Sequence, residues 1–169
     1  MRRSIISVAL LMAASGAVAE KFRVTGTIQA SSCEVSVDGK DGLVKLLDVP
    51  VKSLSAATNT AQKTLFKVAL KNCPADYSIY FDSGEISPEG RLLNAAGDQG
   101  ARNVQLEMLN SREEAVNLAA ERVLQNNGSP ILSPSTDVST YVFYIQYYST
   151  GVASAGSVQS SVTFVVDSF

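Results

Sequence analysis

The side chains best suited to covalent or acid–base chemistry are few in this chain and poorly combined. There is no histidine, so neither a serine–histidine nor a cysteine–histidine dyad can be assembled. Two cysteines, Cys33 and Cys73, could ligate a metal, but no histidine and no second cysteine cluster exists to complete a zinc shell. No glycine-rich loop is followed by the lysine a phosphate cradle needs. Glu85, Glu89 and Glu107 are scattered, and any two could in principle act as acid and base; solvated strand faces and turns account for them more simply. Asn127–Gly128–Ser129 matches an N-glycosylation acceptor, yet Pro130 follows and the context is loop. Tyr141, Tyr144, Tyr147 and Tyr148 could form a carbohydrate platform, although the same residues suit core and cross-strand packing. The expectation is a protein that is not an enzyme, with no catalytic residue, no metal and no cofactor.

The two cysteines are better understood through the compartment. Arg2 and Arg3 precede a short apolar run, Ser4–Ala14, and then Ala17–Val18–Ala19, a small-x-small cleavage signal. That is the pattern of a secretory signal peptide over residues 1–19, too short for a membrane span. About 150 residues remain, enough for one domain with its own core. The whole chain carries a net charge of −2 and becomes more acidic once Arg2 and Arg3 leave. Nothing in it favours nucleic acid or an anionic membrane surface. In an oxidising compartment an even cysteine count implies a disulfide, Cys33 to Cys73. Closing that loop is worth roughly 4 kcal/mol by chain entropy.

The elements that must position these residues are strands. Lys21–Ala30 alternates, with Phe22, Val24, Gly26, Ile28 and Ala30 on one face. Gly26 is the oddity, since glycine weakens a strand unless something approaches closely there. Strand continues over Cys33–Val37, and Asp38–Gly39 and Asp41–Gly42 mark turns. Leu43–Val49 is expected as a short strand stopped by Pro50, and Leu54–Lys63 as loop. Thr64–Cys73 alternates Leu65, Lys67, Ala69 against Phe66, Val68, Leu70, and Pro74 ends it. Tyr77–Phe81 and Asn103–Leu109 are further strands, separated by turn-rich sequence over 82–99. Ser111–Gln125 fits either a short helix or a turn at Asn110–Glu113 followed by a strand over Ala115–Leu118; its surroundings favour the turn. Loop follows over 126–138.

The C-terminal stretch organises the rest. Tyr141–Tyr148 is nearly solid aromatic and β-branched residues, suited to a pleated surface. After a small-residue break, Val158, Val162, Phe164 and Val166 fall on one face, with Ser160 and Ser168 in the same register. A final apolar strand must be buried against something. About eight short strands at turn-separated spacing and no confident helix give an all-β sandwich pattern.

Taken in order, these pieces resemble the pilin subunits of chaperone–usher fimbriae, type 1 and P pili among them. The matching features are a signal peptide, the strand Phe22-x-Val24-x-Gly26-x-Ile28, and Cys33 shortly after it. Asn72–Cys73–Pro74 follows, then Asn103–Val104–Gln105–Leu106. Phe143-x-x-Gln146–Tyr147–Tyr148-x-Thr150–Gly151 and Ala155–Gly156 precede the last strand, with Gly156 where such pilins carry a glycine. The resemblance spans the whole chain after the leader. It departs at one point, where Ser168 stands in place of the usual penultimate tyrosine and Phe169 follows.

The resemblance implies an incomplete immunoglobulin-like sandwich lacking its seventh strand. Residues 20–31 would be a donor strand acting through Phe22, Val24, Gly26 and Ile28, and residues 32–169 the pilin domain. Gly156, Val158, Val162, Phe164, Val166 and Phe169 would flank an open groove, filled first by a periplasmic chaperone and then by the donor strand of the next subunit. Because donor and groove lie at opposite ends of one chain, the contact is head-to-tail and builds an open filament. The implied partners are that chaperone, an outer-membrane usher, neighbouring pilin subunits and a host or surface receptor met through the fibre. The implied location is a cell-surface fimbrium reached through the periplasm, and a shaft subunit is favoured over a tip adhesin, which needs a second domain. The competing expectation is a self-contained secreted carbohydrate-binding β-sandwich that uses the tyrosines.

Overall fold

The computed structural model describes residues 33–37, 42–73, 77–82, 84–126, 128–132 and 138–168. The leader, the Phe22–Ile28 strand, the acceptor asparagine Asn127 and Phe169 lie outside the described residues.

Eight strands are present among them: β1 (Glu34–Val37), β2 (Thr60–Lys71), β3 (Tyr77–Asp82), β4 (Leu92–Leu93), β5 (Val104–Leu109), β6 (Ile131–Leu132), β7 (Val138–Ser149) and β8 (Thr163–Ser168). They form two antiparallel sheets, one in the order β1-β2-β7-β5-β4 and one in the order β6-β3-β8. The protein is thus all-β, and among the described residues its smaller sheet has three strands. Among the described residues, helical geometry is confined to short 3-10 turns at Val51–Leu54, Gly97–Gln99 and Arg122–Leu124.

The core lies between the sheets and follows from strand alternation. In β2, Phe66, Val68 and Leu70 point inward and are buried, while Lys67 and Lys71 face water. In β7 the inward set is Phe143, Ile145 and Tyr147, and in β5 it is Val104, Leu106 and Met108. The smaller sheet answers with Tyr77, Ile79 and Phe81. A chain of rings crosses the sandwich: Phe66 stacks on Phe143 at 5.7 Å, Phe143 meets Phe81 edge-on at 5.2 Å, and Phe81 meets Phe164 edge-on at 5.6 Å. Edge-on contacts at this spacing use the ring quadrupole as well as area burial. Cys33 is bonded to Cys73 with Cα atoms 4.3 Å apart, joining the entry of β1 to the end of β2.

Two sequence expectations are corrected, and an alternative left open is decided in favour of the turn. Residues 43–49 form no paired strand. Val44, Leu46 and Val49 do pack on the core, but burial of alternate side chains does not by itself supply a backbone partner. Residues 54–63 are not all loop, because β2 already begins at Thr60; a register shift between Ala61 and Thr64, with Gln62 at φ 50°, interrupts its alternation. The segment 111–125 has no α-helix. It turns at 111–113, makes isolated bridges at Ala115 and Val116, and ends in the 3-10 turn at Arg122–Leu124. Asn110 fixes that turn: its Oδ1 accepts from the N–H groups of Arg112 (2.9 Å) and Glu114 (3.0 Å), the local competition for backbone groups that makes asparagine a turn residue.

Candidate functional site

The feature that sets this sandwich apart is a long groove of about 1090 Å³ on the flank of β8. One wall is the segment 42–51, the other the segment 153–164. Its floor is the core itself: Phe66, Val68, Leu106, Met108, Ile145 and Tyr147 from the larger sheet and Phe81 from the smaller one. The inward row Val158, Val162, Phe164 and Val166 packs against the core yet stays half-buried. Among the described residues β8 pairs only with β3, from Tyr77↔Ser168 to Asp82↔Thr163, so its other edge is open. An apolar core reaching the surface beside an unpaired strand edge is a site for strand addition.

The upstream half of that wall is held by side chains the sequence reading did not single out. Only Thr163–Ser168 is paired strand; residues 156–162 are tied to the loop 94–101. Ala95 N–H donates to Gln159 O (2.7 Å), Ala101 N–H to Ser157 O (2.9 Å) and Ser157 N–H to Gln99 O (2.8 Å). Asn94 works as a clip. Its Nδ2 donates to Ala101 O (3.0 Å) and Ser157 O (2.9 Å), and its Oδ1 accepts from Gln159 N–H (3.0 Å). The backbone groups of Ser157 and Gln159 are therefore spent on one side. Alternate residues of an extended chain turn these groups to opposite sides, so those of Val158, Ser160 and Val162 turn away from that loop. Gly156 sits where this wall crosses the loop. Its φ is 154°, and a methyl group there would overlap Ala101 N and stand 2.6 Å from Gly100 C; only glycine fits.

The opposite wall is anchored differently. Tyr147 Oη donates to Leu47 O at 3.2 Å, which fastens the unpaired segment 42–51 to β7. Burial pushes the Tyr147 phenol pKa up, and the negative charge of Asp48 adds to the effect. Leu43 and Leu47, whose neighbours Val44 and Leu46 turn inward, are left 83% and 62% exposed.

Gln125 supports the floor. It is 3% exposed, and its amide closes a two-way bond with the backbone of Phe81: Phe81 N–H donates to Oε1 (2.8 Å) and Nε2 donates to Phe81 O (2.7 Å). β3 pairs with β6 only at Ser78 and Ile79, so beyond Ile79 the glutamine side chain stands in for a strand. No sequence signal marked it, because a polar residue in an ambiguous segment looks like surface.

The four tyrosines do not share a face. Tyr141 and Tyr147 turn inward, and Tyr141 Oη donates to Tyr77 Oη (3.2 Å); burial, then that hydrogen bond, raises its pKa. Tyr144 and Tyr148 lie on the outer face, beside Lys63 and under Arg91, whose guanidinium carbon is 3.6 Å from the Tyr148 ring centroid. Arg91 is also paired with Glu107 at 3.1 Å, and Gln146 Nε2 donates to Glu107 at 2.8 Å. The carboxylate is thereby committed to a surface network. Glu85 and Glu89 are exposed. Among the described residues no group of three or more potential metal ligands converges.

No family model matches the chain. Comparison with individual proteins is informative. The chain is 34% identical to the major fimbrial subunit SMF-1 of Stenotrophomonas maltophilia, over 83% of this chain and 87% of that protein. It is 30% identical to the F17 fimbrial protein of Escherichia coli, over 86% and 85%. Among solved structures, the P pilus rod subunit PapA aligns with a TM-score of 0.62 at 13% identity, covering 88% of this chain and all of that one. An antigen and type I fimbria protein of Burkholderia pseudomallei aligns at 0.56 and 18% identity, over 80% and 99%. At such identities the structural matches speak for the fold, while the sequence matches speak for kinship. The chain belongs to the fimbrial subunits, the structural pilins of chaperone–usher fimbriae.

Proposed function

We propose that this pilin polymerises head-to-tail by donor-strand complementation, residues 20–31 of one subunit filling the groove beside β8 of the next. The observation that carries the reading is the groove itself: a core-deep, apolar channel along an inward row that stays half-buried. The alternating face Phe22, Val24, Gly26 and Ile28 has the period a strand needs to fill it. Before assembly a periplasmic chaperone covers the same edge, since an exposed apolar edge otherwise aggregates; an outer-membrane usher then passes the subunit into the fibre. Residues 1–19 direct export to the periplasm, the fibre stands on the cell surface, and adhesion to a host or surface receptor is exerted through it. The role is structural, with no catalytic step.

The test is self-complementation. Expressed without chaperone, the subunit is expected to aggregate or be degraded. A copy of residues 20–31 joined after Phe169 by a flexible linker should yield a soluble monomer, because tethering raises the effective donor concentration to roughly mM. A monomeric, high-melting protein without the added segment would refute the reading.

A further inference from the structure

Four buried side-chain polar atoms lack a hydrogen-bond partner among the described residues: Thr64 Oγ1, Gln105 Oε1, Ser139 Oγ and Ser160 Oγ. Of these four residues only Ser160 lines the groove. It stands inside the inward row, between Val158 and Val162, with Phe164 beyond. A buried hydroxyl left unpaired is costly and calls for an explanation. An alcohol in a channel built for an apolar strand makes sense if that strand brings a polar group to the same place.

The donor face offers one such place. Phe22, Val24 and Ile28 are bulky residues, whereas Gly26 has no side chain to keep another group from its main chain. We propose that Ser160 sets the register of strand insertion, its hydroxyl hydrogen-bonding the main chain of a second copy's donor segment at Gly26. The inference rests on the donor-strand reading above. The sheet containing β8 is antiparallel throughout. With the incoming strand also antiparallel, Gly26 beside Ser160 puts Ile28 beside Val158, Val24 beside Val162 and Phe22 beside Phe164. Every apolar donor residue then meets an apolar residue of the wall. A slip of two residues keeps the same faces inward but lays Val24 or Ile28 over the hydroxyl and leaves it without a partner. The wall thus discriminates between registers that apolar matching alone would leave nearly equivalent.

The experiment is intersubunit disulfide trapping in fibres of the full chain. Val24→Cys is combined with Val162→Cys for the assigned register and with Phe164→Cys for the slipped one. In the Ser160 protein the 24–162 pair should cross-link and the 24–164 pair should not. Ser160→Val and Ser160→Ala should divide cross-linking between the two pairs and slow uptake of a synthetic 20–31 peptide by roughly five- to tenfold, the scale of one hydrogen bond. Ser160→Thr, which keeps a hydroxyl, should restore both. Unchanged register and uptake in Ser160→Val and Ser160→Ala would overturn the assignment while leaving donor-strand polymerisation standing. Fibres of the Ser160 protein that cross-link neither of these pairs nor Phe22→Cys with Val162→Cys, which reports the other slip, would overturn the donor-strand reading itself.

Discussion

β7 and the last strand carry nearly the same signature in sequence and meet opposite fates in the fold. Both alternate bulky apolar residues along one face. In β7, which has β2 on one side and β5 on the other, Phe143, Ile145 and Tyr147 are only 2%, 9% and 8% exposed. In the last strand, Val158, Val162, Phe164 and Val166 stay half-buried, because among the described residues β8 has one neighbour and its upstream half is paired to a loop. The difference teaches that an apolar row is buried by its second neighbour as much as by its own pattern. A strand that lacks this neighbour keeps part of its burial free energy for a later partner.

Core truncation breaks this comparison most directly. Phe143→Ala should cost about 3–5 kcal/mol whether or not the groove is filled, because its surroundings are complete. Phe164→Ala should cost roughly half as much in the subunit freed of donor, and approach the Phe143 value in the self-complemented form. Denaturant unfolding of the self-complemented form, and of donor-free subunit refolded from denaturant at high dilution, measures this, and equal losses at Phe164 in the two would show that the groove does not complete its burial. Next in size, Cys33→Ser with Cys73→Ser should destabilise the domain by about 2–5 kcal/mol; the same denaturant midpoint in oxidised and reduced protein would contradict it.

Gln125→Leu should cost roughly 1–3 kcal/mol, since it leaves the Phe81 N–H and C=O unpaired in the interior. It should also slow peptide uptake into the groove, Phe81 being part of the floor; a loss of stability with unaltered uptake would confine the glutamine to packing. The smallest effect is at Tyr147. Its phenol pKa is raised in the fold, so above about pH 10 the unfolded chain loses that proton first. The unfolded state then binds fewer protons than the native one, and stability falls as pH rises from there. Tyr147→Phe should flatten this alkaline limb and cost about 1 kcal/mol or less at neutral pH. An alkaline limb as steep in the variant as in the parent would assign the loss to other groups, Tyr141 first among them.

Most of the larger sheet was legible because its strands announce themselves by alternation. Phe66, Val68 and Leu70 in β2 and the aromatic run of β7 needed no context. The inward row of the last strand was equally plain. The start of β2 was hidden because the irregularity at Ala61–Thr64 breaks the period that marks a strand. Residues 43–49 showed the opposite failure: alternation was real, with Val44 and Leu46 inward, but pairing depends on a neighbour that local pattern cannot reveal. Asn94 and Gln125 were invisible for a third reason. Their value lies in bonds to residues far along the chain, Asn94 to Gln159 and Gln125 to Phe81, and nothing nearby in sequence marks such partners.

The Cys33–Cys73 bond has a mechanical meaning once the subunit is part of a fibre. In the proposed donor-strand fibre, traction arriving along residues 20–32 would enter the domain at Cys33. Without the bond it would be borne by β1, four residues paired to β2 from Glu34↔Lys71 to Val37↔Val68, which could peel away one hydrogen bond at a time. The sulfur bridge carries the pull directly into the end of β2, whose long ladder with β7 extends from Lys71↔Val138 to Thr60↔Tyr148. That ladder offers more paired residues to resist the load than the four of β1. Stretching single fibres with and without reductant reads this route, and an unchanged rupture force would exclude it.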